Sequence, residues 1–492
     1  MPIARGRSPI IRASRPGRTA TFTVAASNST ATAKAQADYT CDGTNDEVEI
    51  QAALDAVITQ DFGGIFFSAG LYKISPDGSG RGLLCQGADA NRVEGVKIWG
   101  EQGTTWQLQS AISAAHPSLS RSRISFLYIH EVEVTGIRFE GLAAASQSFT
   151  GASGIVVHFG SACRRASVHH NWFFNWNNGT AIDPSNASSS IVTQNFMEDC
   201  SAGVVQSNIA GFCIIADNIF RTPTHAAGVM TANGAFYLEN YGIIANNIIE
   251  TPAQGIGFTI TAVAGQGQIT IIGNRVLGLS ATASGIADLG GDNSGYQVVI
   301  VGNVFKDVNI GMAIKTGNML IHDNILLAHA SGAAKDGIRL YISTTPAYQV
   351  SIRGNRFEGF TLGVADGGQV ADEIEVVGNK FITVTTPLSL AATTHLTAED
   401  NVGSEAEGFD SHYERIYAPN AGWTAAVGGS GSTAQAPVTA RVRTGTTAGT
   451  NTARLSDGNQ DVLSRGQAGG VLDFSKRISM LFPFHYEGGS TI

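Results

Sequence analysis

An all-β solenoid of about a dozen coils, a parallel β-helix, is the fold this sequence predicts, and three repeating features predict it. The first is a short phrase ending in asparagine that occurs ten times, at Asn171, Asn195, Asn218, Asn247, Asn274, Asn303, Asn324, Asn355, Asn379 and Asn401. Steps between these asparagines run from 21 to 31 residues, the length of one coil. The second is a pair of apolar rows around each asparagine. Three residues before it stand Val168, Val192, Ile215, Ile244, Ile271, Ile300, Ile321, Ile352 and Val376, and two after it Phe173, Met197, Phe220, Ile249, Val276, Phe305, Leu326, Phe357 and Phe381. The positions between are mixed or polar, which is strand alternation with neighbours on opposite faces. The third is a glycine eight residues after the asparagine at Gly179, Gly203, Gly255, Gly311 and Gly363, and after longer gaps at Gly228, Gly285 and Gly337. Most of these precede Ile, Val or Met, so a second strand starts there, and the remaining length fits a third.

The asparagine row reads as structural. A polar side chain repeated every ~4.8 Å along stacked coils hydrogen-bonds to its own kind above and below. Upstream the pattern continues through Val96-Lys97-Ile98-Trp99-Gly100 and Val134-Thr135-Gly136-Ile137. An open solenoid end exposes core and unpaired backbone, so a cover is required. Residues 44–58 supply one. Thr44 and Glu47 have capping-box spacing, Ile50, Leu54, Val57 and Ile58 form an apolar stripe, and Gly63-Gly64 stops the helix before a first strand at Ile65-Phe66-Phe67.

The run Asp38-Tyr39-Thr40-Cys41-Asp42-Gly43-Thr44-Asn45-Asp46-Glu47-Val48-Glu49-Ile50-Gln51-Ala52-Ala53, followed by Gly63-Gly64-Ile65-Phe66-Phe67-Ser68-Ala69-Gly70-Leu71-Tyr72-Lys73-Ile74, is similar to the start of pectate-lyase-like right-handed β-helix proteins. The resemblance implies a right-handed helix over residues 38–403. It implies a polysaccharide lyase, hydrolase, epimerase, surface protein or bacteriophage tailspike, because the superfamily hosts several chemistries.

Residues 1–37 carry six basic residues and no acid, while the rest carries 25 basic against 40 acidic residues. Five arginines in the first 18 positions without an apolar run behind them do not make a secretory signal. They fit an arm that docks on an acidic partner, and the tailspike likeness makes that partner another virion tail or baseplate protein. The acidic remainder argues against nucleic-acid binding, and no stretch has the length and apolarity of a membrane span. Five cysteines without a C-x-x-C give neither a disulfide framework nor a metal site. His169 and His170, as strand neighbours, are expected on opposite faces and unable to chelate together. No cofactor or metal is expected. Residues 404–492, rich in Gly, Ser, Thr and Ala from 421 to 470 and with an apolar stretch at 478–484, read as a small β-rich module for trimerisation or receptor binding.

Three surfaces stand out. Two residues beyond the landmark glycines lie Val205, Met230, Ala287 and Ala313, and two beyond Gly154 lies Val156, an apolar outward row that fits a homotrimer interface. Three residues beyond successive asparagines lie Glu198, Arg221 and Glu250. With coils ~4.8 Å apart the two carboxylates are expected about 10 Å from each other, near the spacing of inverting glycosidases, with Arg221 placed for a substrate carboxylate. A third row, Tyr241, Gln268, Tyr296, Gln297, Tyr348 and Gln349, offers rings and amides for stacking on sugars and bonding their hydroxyls. A polar loop adds His329, Lys335 and Asp336, near Arg339. The expected function is a tailspike- or tail-fibre-like protein of the virion that binds, and in a stronger form depolymerises, bacterial surface polysaccharide. A secreted monomeric lyase or glycoside hydrolase and a non-catalytic adhesive protein are the alternatives.

Overall fold

The computed structural model describes residues 20–403, apart from residues 89–91, 115–120, 143–147, 150–153, 177–178, 208–210, 223–233, 240, 252–255, 262–266, 279–283, 289–295, 316–317, 332–334, 342–348, 367–372 and 391–394. Beyond 403 it describes five short strands between 424 and 464. The chain divides into two compact units, Met1–Tyr237 and Leu238–Ile492. Each is a set of coils contributing one strand to each of three parallel sheets, which is a right-handed parallel β-helix.

In the first unit the first sheet runs from Tyr39–Thr40 and Ala20–Ala25 through Phe62–Phe67, Val93–Gly100, Ile129–Thr135, Arg165–His169 and Ser189–Thr193 to Phe212–Ala216. The second sheet stacks Gly70–Ile74, Thr104–Leu108, Arg138–Glu140, Trp172–Phe174, Phe196–Glu198 and Ile219–Arg221. The third includes Leu83–Gln86, Ser122–Leu127, Gly154–Phe159, Gly179–Asp183 and Ala202–Gln206. The second unit repeats the plan, its first sheet running from Tyr241–Ala245 to His395–Glu399 and its second from Ile248–Thr251 to Val402–Gly403.

Each asparagine closes the corner between a first-sheet and a second-sheet strand, and the ladder expected from the sequence is present in both units. Asn195 Nδ2 donates to the carbonyls of Val168 (2.8 Å) and Thr193 (3.0 Å) and to Asn218 Oδ1 (3.0 Å), and its own N–H also reaches Asn218 Oδ1 (3.0 Å). All ten asparagines are buried. The residue just before each one has positive φ: His170, Gln194, Asp217, Asn246, Gly273, Gly302, Asp323, Gly354, Gly378 and Asp400. That position, which reads as variable, is held to residues that tolerate the left-handed region, mostly Gly, Asn and Asp.

The N-terminal end departs from expectation in two ways. Ala20–Ala25, within the expected basic arm, is a strand in register with Phe62–Phe67 (Phe22 opposite Ile65), and Thr30 caps a short helix at Ala31–Gln36 by accepting from Ala33 N–H (3.1 Å). Alternating Thr, Phe and Val suit the sheet better than an arm. The capping helix spans Glu47–Thr59 and begins after Asp46, not at Thr44. The Thr44 hydroxyl donates to Asp42, while the Asp46 carboxylate accepts from Gly43 N–H (2.8 Å) and Lys73 N–H (2.7 Å), which ties the helix entry to the first coils. Ile50, Ala53, Leu54 and Val57 are fully buried beneath it. In the C-terminal region, Thr424–Val427, Ala453–Ser456 and Asp461–Ser464 pair antiparallel, as do Thr433–Ala436 and Thr439–Val442. The apolar stretch 478–484 lies outside the described residues.

Candidate functional site

The short second-sheet strands of the first unit place their middle residue in the core and the two flanking residues outside. Phe139, Phe173, Met197 and Phe220 are fully buried. Register then builds two outward columns. One is Arg138, Trp172, Phe196 and Ile219, and the other is Glu140, Phe174, Glu198 and Arg221. The Trp172 ring lies 5.7 Å from Phe196 and 6.0 Å from Phe174, between centroids, and the Arg138 guanidinium sits 4.2 Å above Trp172 and 5.3 Å from Phe174. Arg138 also pairs with Glu140 at 3.4 Å. The indole Nε1 of Trp172 is buried and has no hydrogen-bond partner among the described residues. A partly exposed aromatic platform edged by two carboxylates and two guanidinium groups offers flat apolar faces for stacking and charged groups for pairing at its rim.

On the first sheet of the same coils lies a groove of ≈ 350 Å³ lined by Phe62, Gly95, Lys97, Glu131, Glu133, Arg165 and Ile191, among others. Within its lining a Cβ on Gly95 would stand 2.7 Å from the Phe62 ring, so glycine at that position leaves the ring its place. Lys97 Nζ pairs with Glu133 at 3.0 Å, Arg165 pairs with Glu131, and His169 Nε2 is 3.2 Å from Glu133 Oε1. Solvent-exposed pairs of this kind are worth ~0–1 kcal/mol each, so they shape the groove more than they hold the fold.

Groove and platform meet at His169-His170-Asn171-Trp172. Strand alternation predicts that the two histidines diverge, and the structure overturns this. His170 has φ 56° as the residue before a ladder asparagine, so alternation stops at His169. The two Nδ1 atoms stand 2.8 Å apart with the rings at 81°.

The expected catalytic set divides between the units. Glu198 and Arg221 are register neighbours on the platform. Glu250 belongs to the second unit, where its neighbour is Leu277. Sequence reasoning missed Arg138, Glu140, Trp172, Phe174 and Phe196 on the platform and Lys97, Glu131, Glu133 and Arg165 in the groove. The available signal was the i, i+2 spacing Glu131/Glu133, Arg138/Glu140 and Trp172/Phe174 once coils are aligned.

In the second unit Tyr241, Gln268 and Gln297 share one column, Tyr296 is opposite Gly267, and Gln349 Nε2 donates to Glu373 (2.9 Å). Tyr348 lies outside the described residues. His329 bonds Ser331 and Lys335 the Ala330 carbonyl, whereas Asp336 is buried against Arg339, so that loop does not converge on one point.

The apolar row is corrected at Val156. Every residue of Ser122–Leu127 and Gly154–Phe159 is buried, so both faces of the third sheet are covered there by the chain itself, and Val156 is fully enclosed. Val205, Ala287 and Ala313 are partly exposed, the last two in register, and Met230 lies outside the described residues. This covered face also aligns Ser125, His158 and Asp183 on successive strands, with Ser125 Oγ 3.4 Å from His158 Nδ1. Burial lowers the His158 pKa and raises that of Asp183. Ser125 and His158 are closed to any substrate, at 0% and 4% exposed, so this column is structural.

A protein-family model described as periplasmic copper-binding protein (NosD) matches residues 79–284, fewer than half of the chain. None of the curated proteins matches. Among solved structures, the A-module of the Azotobacter vinelandii mannuronan C-5 epimerase AlgE6 aligns with TM-score 0.50 and 15% identity over 73% of this chain and 96% of that one. A hyperthermoactive exopolygalacturonase from Thermotoga maritima aligns with TM-score 0.45 and 12% identity over 76% and 90%. The tailspike protein of Acinetobacter baumannii phage AM24 aligns with TM-score 0.35 and 16% identity over 59% and 53%. At 15% identity the alignment with the epimerase module shows fold alone, and it agrees with the right-handed parallel β-helix seen in the strand pairing.

Proposed function

We propose that the first unit binds an acidic extracellular polysaccharide across the platform of Trp172, Phe174 and Phe196, and that Glu198 takes part in cutting it. The observation that carries this reading is the register that sets those rings between Arg138/Glu140 and Glu198/Arg221. Glu140 and Glu198 stand two rungs apart, about 10 Å along the column, close to the spacing that admits a water between two carboxylates. Arg221 is the partner for a uronate carboxylate. The fold neighbour from Azotobacter is a mannuronan enzyme, a precedent for polysaccharide chemistry on this architecture.

In its finer form the chain is tailspike-like. Residues 1–18 attach it to a virion tail or baseplate, three copies assemble with Val205 as an interface residue of the first unit and Ala287 and Ala313 of the second, the Tyr241–Gln268–Gln297 column gives the second unit glycan contacts of its own, and the target is a bacterial surface polysaccharide. Enclosure of Val156 within one chain favours a second reading, a monomeric extracellular lyase or hydrolase. Solution mass by light scattering separates them: three chains support the spike, one chain the monomer.

Binding is tested with polygalacturonate and alginate against a neutral glucan. Wild type is expected to prefer the acidic polymers, and W172A/F196A to lose about tenfold or more in affinity, since a lost stack of ~1.5 kcal/mol is about a factor of ten. E198Q should keep binding and lose cleavage, while E250Q reports on the carboxylate expected from the sequence. Unchanged affinity in W172A/F196A refutes the platform.

A further inference from the structure

We propose that the first-sheet groove of the first unit selects polysaccharides that carry an acid on every second sugar. The inference rests on the acidic-glycan reading of the platform and names the spacing of the acids along the ligand. Strand pairing sets the charges of the groove rung by rung. Lys97 stands opposite Glu133, and Glu131 opposite Arg165. Glu131 and Glu133 are two residues apart on one strand, so both carboxylates face the groove on the same rung, about 7 Å from each other. Lys97 lies one rung to one side of them and Arg165 one rung to the other, on opposite walls. Along the axis the order is cation, carboxylate pair, cation, and the two cations are two rungs or about 10 Å apart.

Each cation keeps donors for a ligand. Lys97 has three N–H donors and pairs with Glu133, while Arg165 contacts Glu131 through Nη2, one of its three nitrogens. Their side chains are 47% and 71% exposed. A linear sugar chain laid along the axis advances about one ring per rung. Acids on the rings beside Lys97 and Arg165 each meet a cation. The ring between them meets Glu131 and Glu133, which accept from hydroxyls and repel a carboxylate. Phe62 at one end and Ile191 at the other, 46% and 44% exposed, give apolar contacts for ring faces. A polymer with an acid on every ring therefore sets one against the carboxylate pair, and an alternating polymer does not.

The test is calorimetry of the full-length protein with two polymers of matched length: hyaluronan, in which glucuronate alternates with a neutral N-acetylated sugar, and polygalacturonate. Wild type is expected to bind hyaluronan about tenfold more tightly. K97A/R165A should lose that preference through weaker binding of hyaluronan. E131Q/E133Q should lose it through tighter binding of polygalacturonate, because the repelling charges are gone. Circular dichroism and melting temperature check that both variants fold. Equal affinities in the wild type, or a preference that survives in either variant, overturns the proposal. W172A/F196A keeps the two readings apart, since loss of the platform lowers affinity for both polymers and leaves their ratio. If that variant binds as wild type while the ratio responds to the groove variants, the platform fails and the groove stands. Absence of binding to either polymer refutes both.

Discussion

A single asparagine in this fold satisfies more backbone than its own. Asn274 Oδ1 accepts from Asn247 N–H (2.8 Å) and Asn247 Nδ2 (2.9 Å), while its Nδ2 donates to the carbonyls of Ile244 (2.8 Å) and Ile272 (3.0 Å) and to Asn303 Oδ1 (3.0 Å). Removing the amide leaves several buried groups without partners, each costing roughly 1–3 kcal/mol. N274A is therefore expected to destabilise the protein by about 3 kcal/mol or more in denaturant unfolding, and a loss under 1 kcal/mol would show the ladder to be dispensable. The sequence conveys this row because the amide is needed at the same position in every coil. The partner residue at the turn is harder to see, since His, Gln, Asp, Asn and Gly all serve there. That spread conceals the histidine pair.

At the level of the element, the landmark glycines and the core rings explain each other. A Cβ on Gly311 would stand 2.3 Å from Leu326 Cδ2 and 2.4 Å from the Gly337 carbonyl oxygen. On Gly337 it would stand 2.5 Å from the Phe357 ring, and on Gly363 2.5 Å from Phe381. The residue two after the asparagine fills the coil so fully that the third-sheet strand has no room for a side chain where it begins. G311A should cost about 1–3 kcal/mol by overpacking, and G311A/L326A should recover part of that loss. If the double variant is as unstable as the sum of the singles, the contact is not the cause.

Across the whole molecule, stability should respond to acid through His158. Burial holds its folded pKa below the ordinary 6.5, so below that pH the unfolded chain takes a proton that the folded chain refuses, and stability falls. The linkage slope is at most ~1.4 kcal/mol per pH unit for one proton. The raised pKa of Asp183 acts in the opposite sense, since the folded carboxyl keeps its proton above 3.8 and gains on acidification. H158Q isolates the histidine: the drop in melting temperature from pH 7.5 to 5.5 should be smaller in H158Q than in the wild type. An equal drop would mean that His158 is protonated in the folded state.

The coil period, the asparagine row, the two core rows and the glycine row follow from the sequence alone, because each is a local demand renewed at every turn of the chain. The functional faces do not repeat in that way. Arg138, Trp172 and Phe196 come from three different coils and meet only because parallel pairing in register stacks residues 24 to 34 positions apart. Glu133 reaches His169 by the same stacking, and His170 joins them through a backbone angle that strand alternation does not anticipate. The enclosure of Val156 was likewise decided by tertiary structure. Alternation along one strand gives only the side of the sheet a residue faces, and whether chain or solvent lies on that side depends on segments remote in sequence.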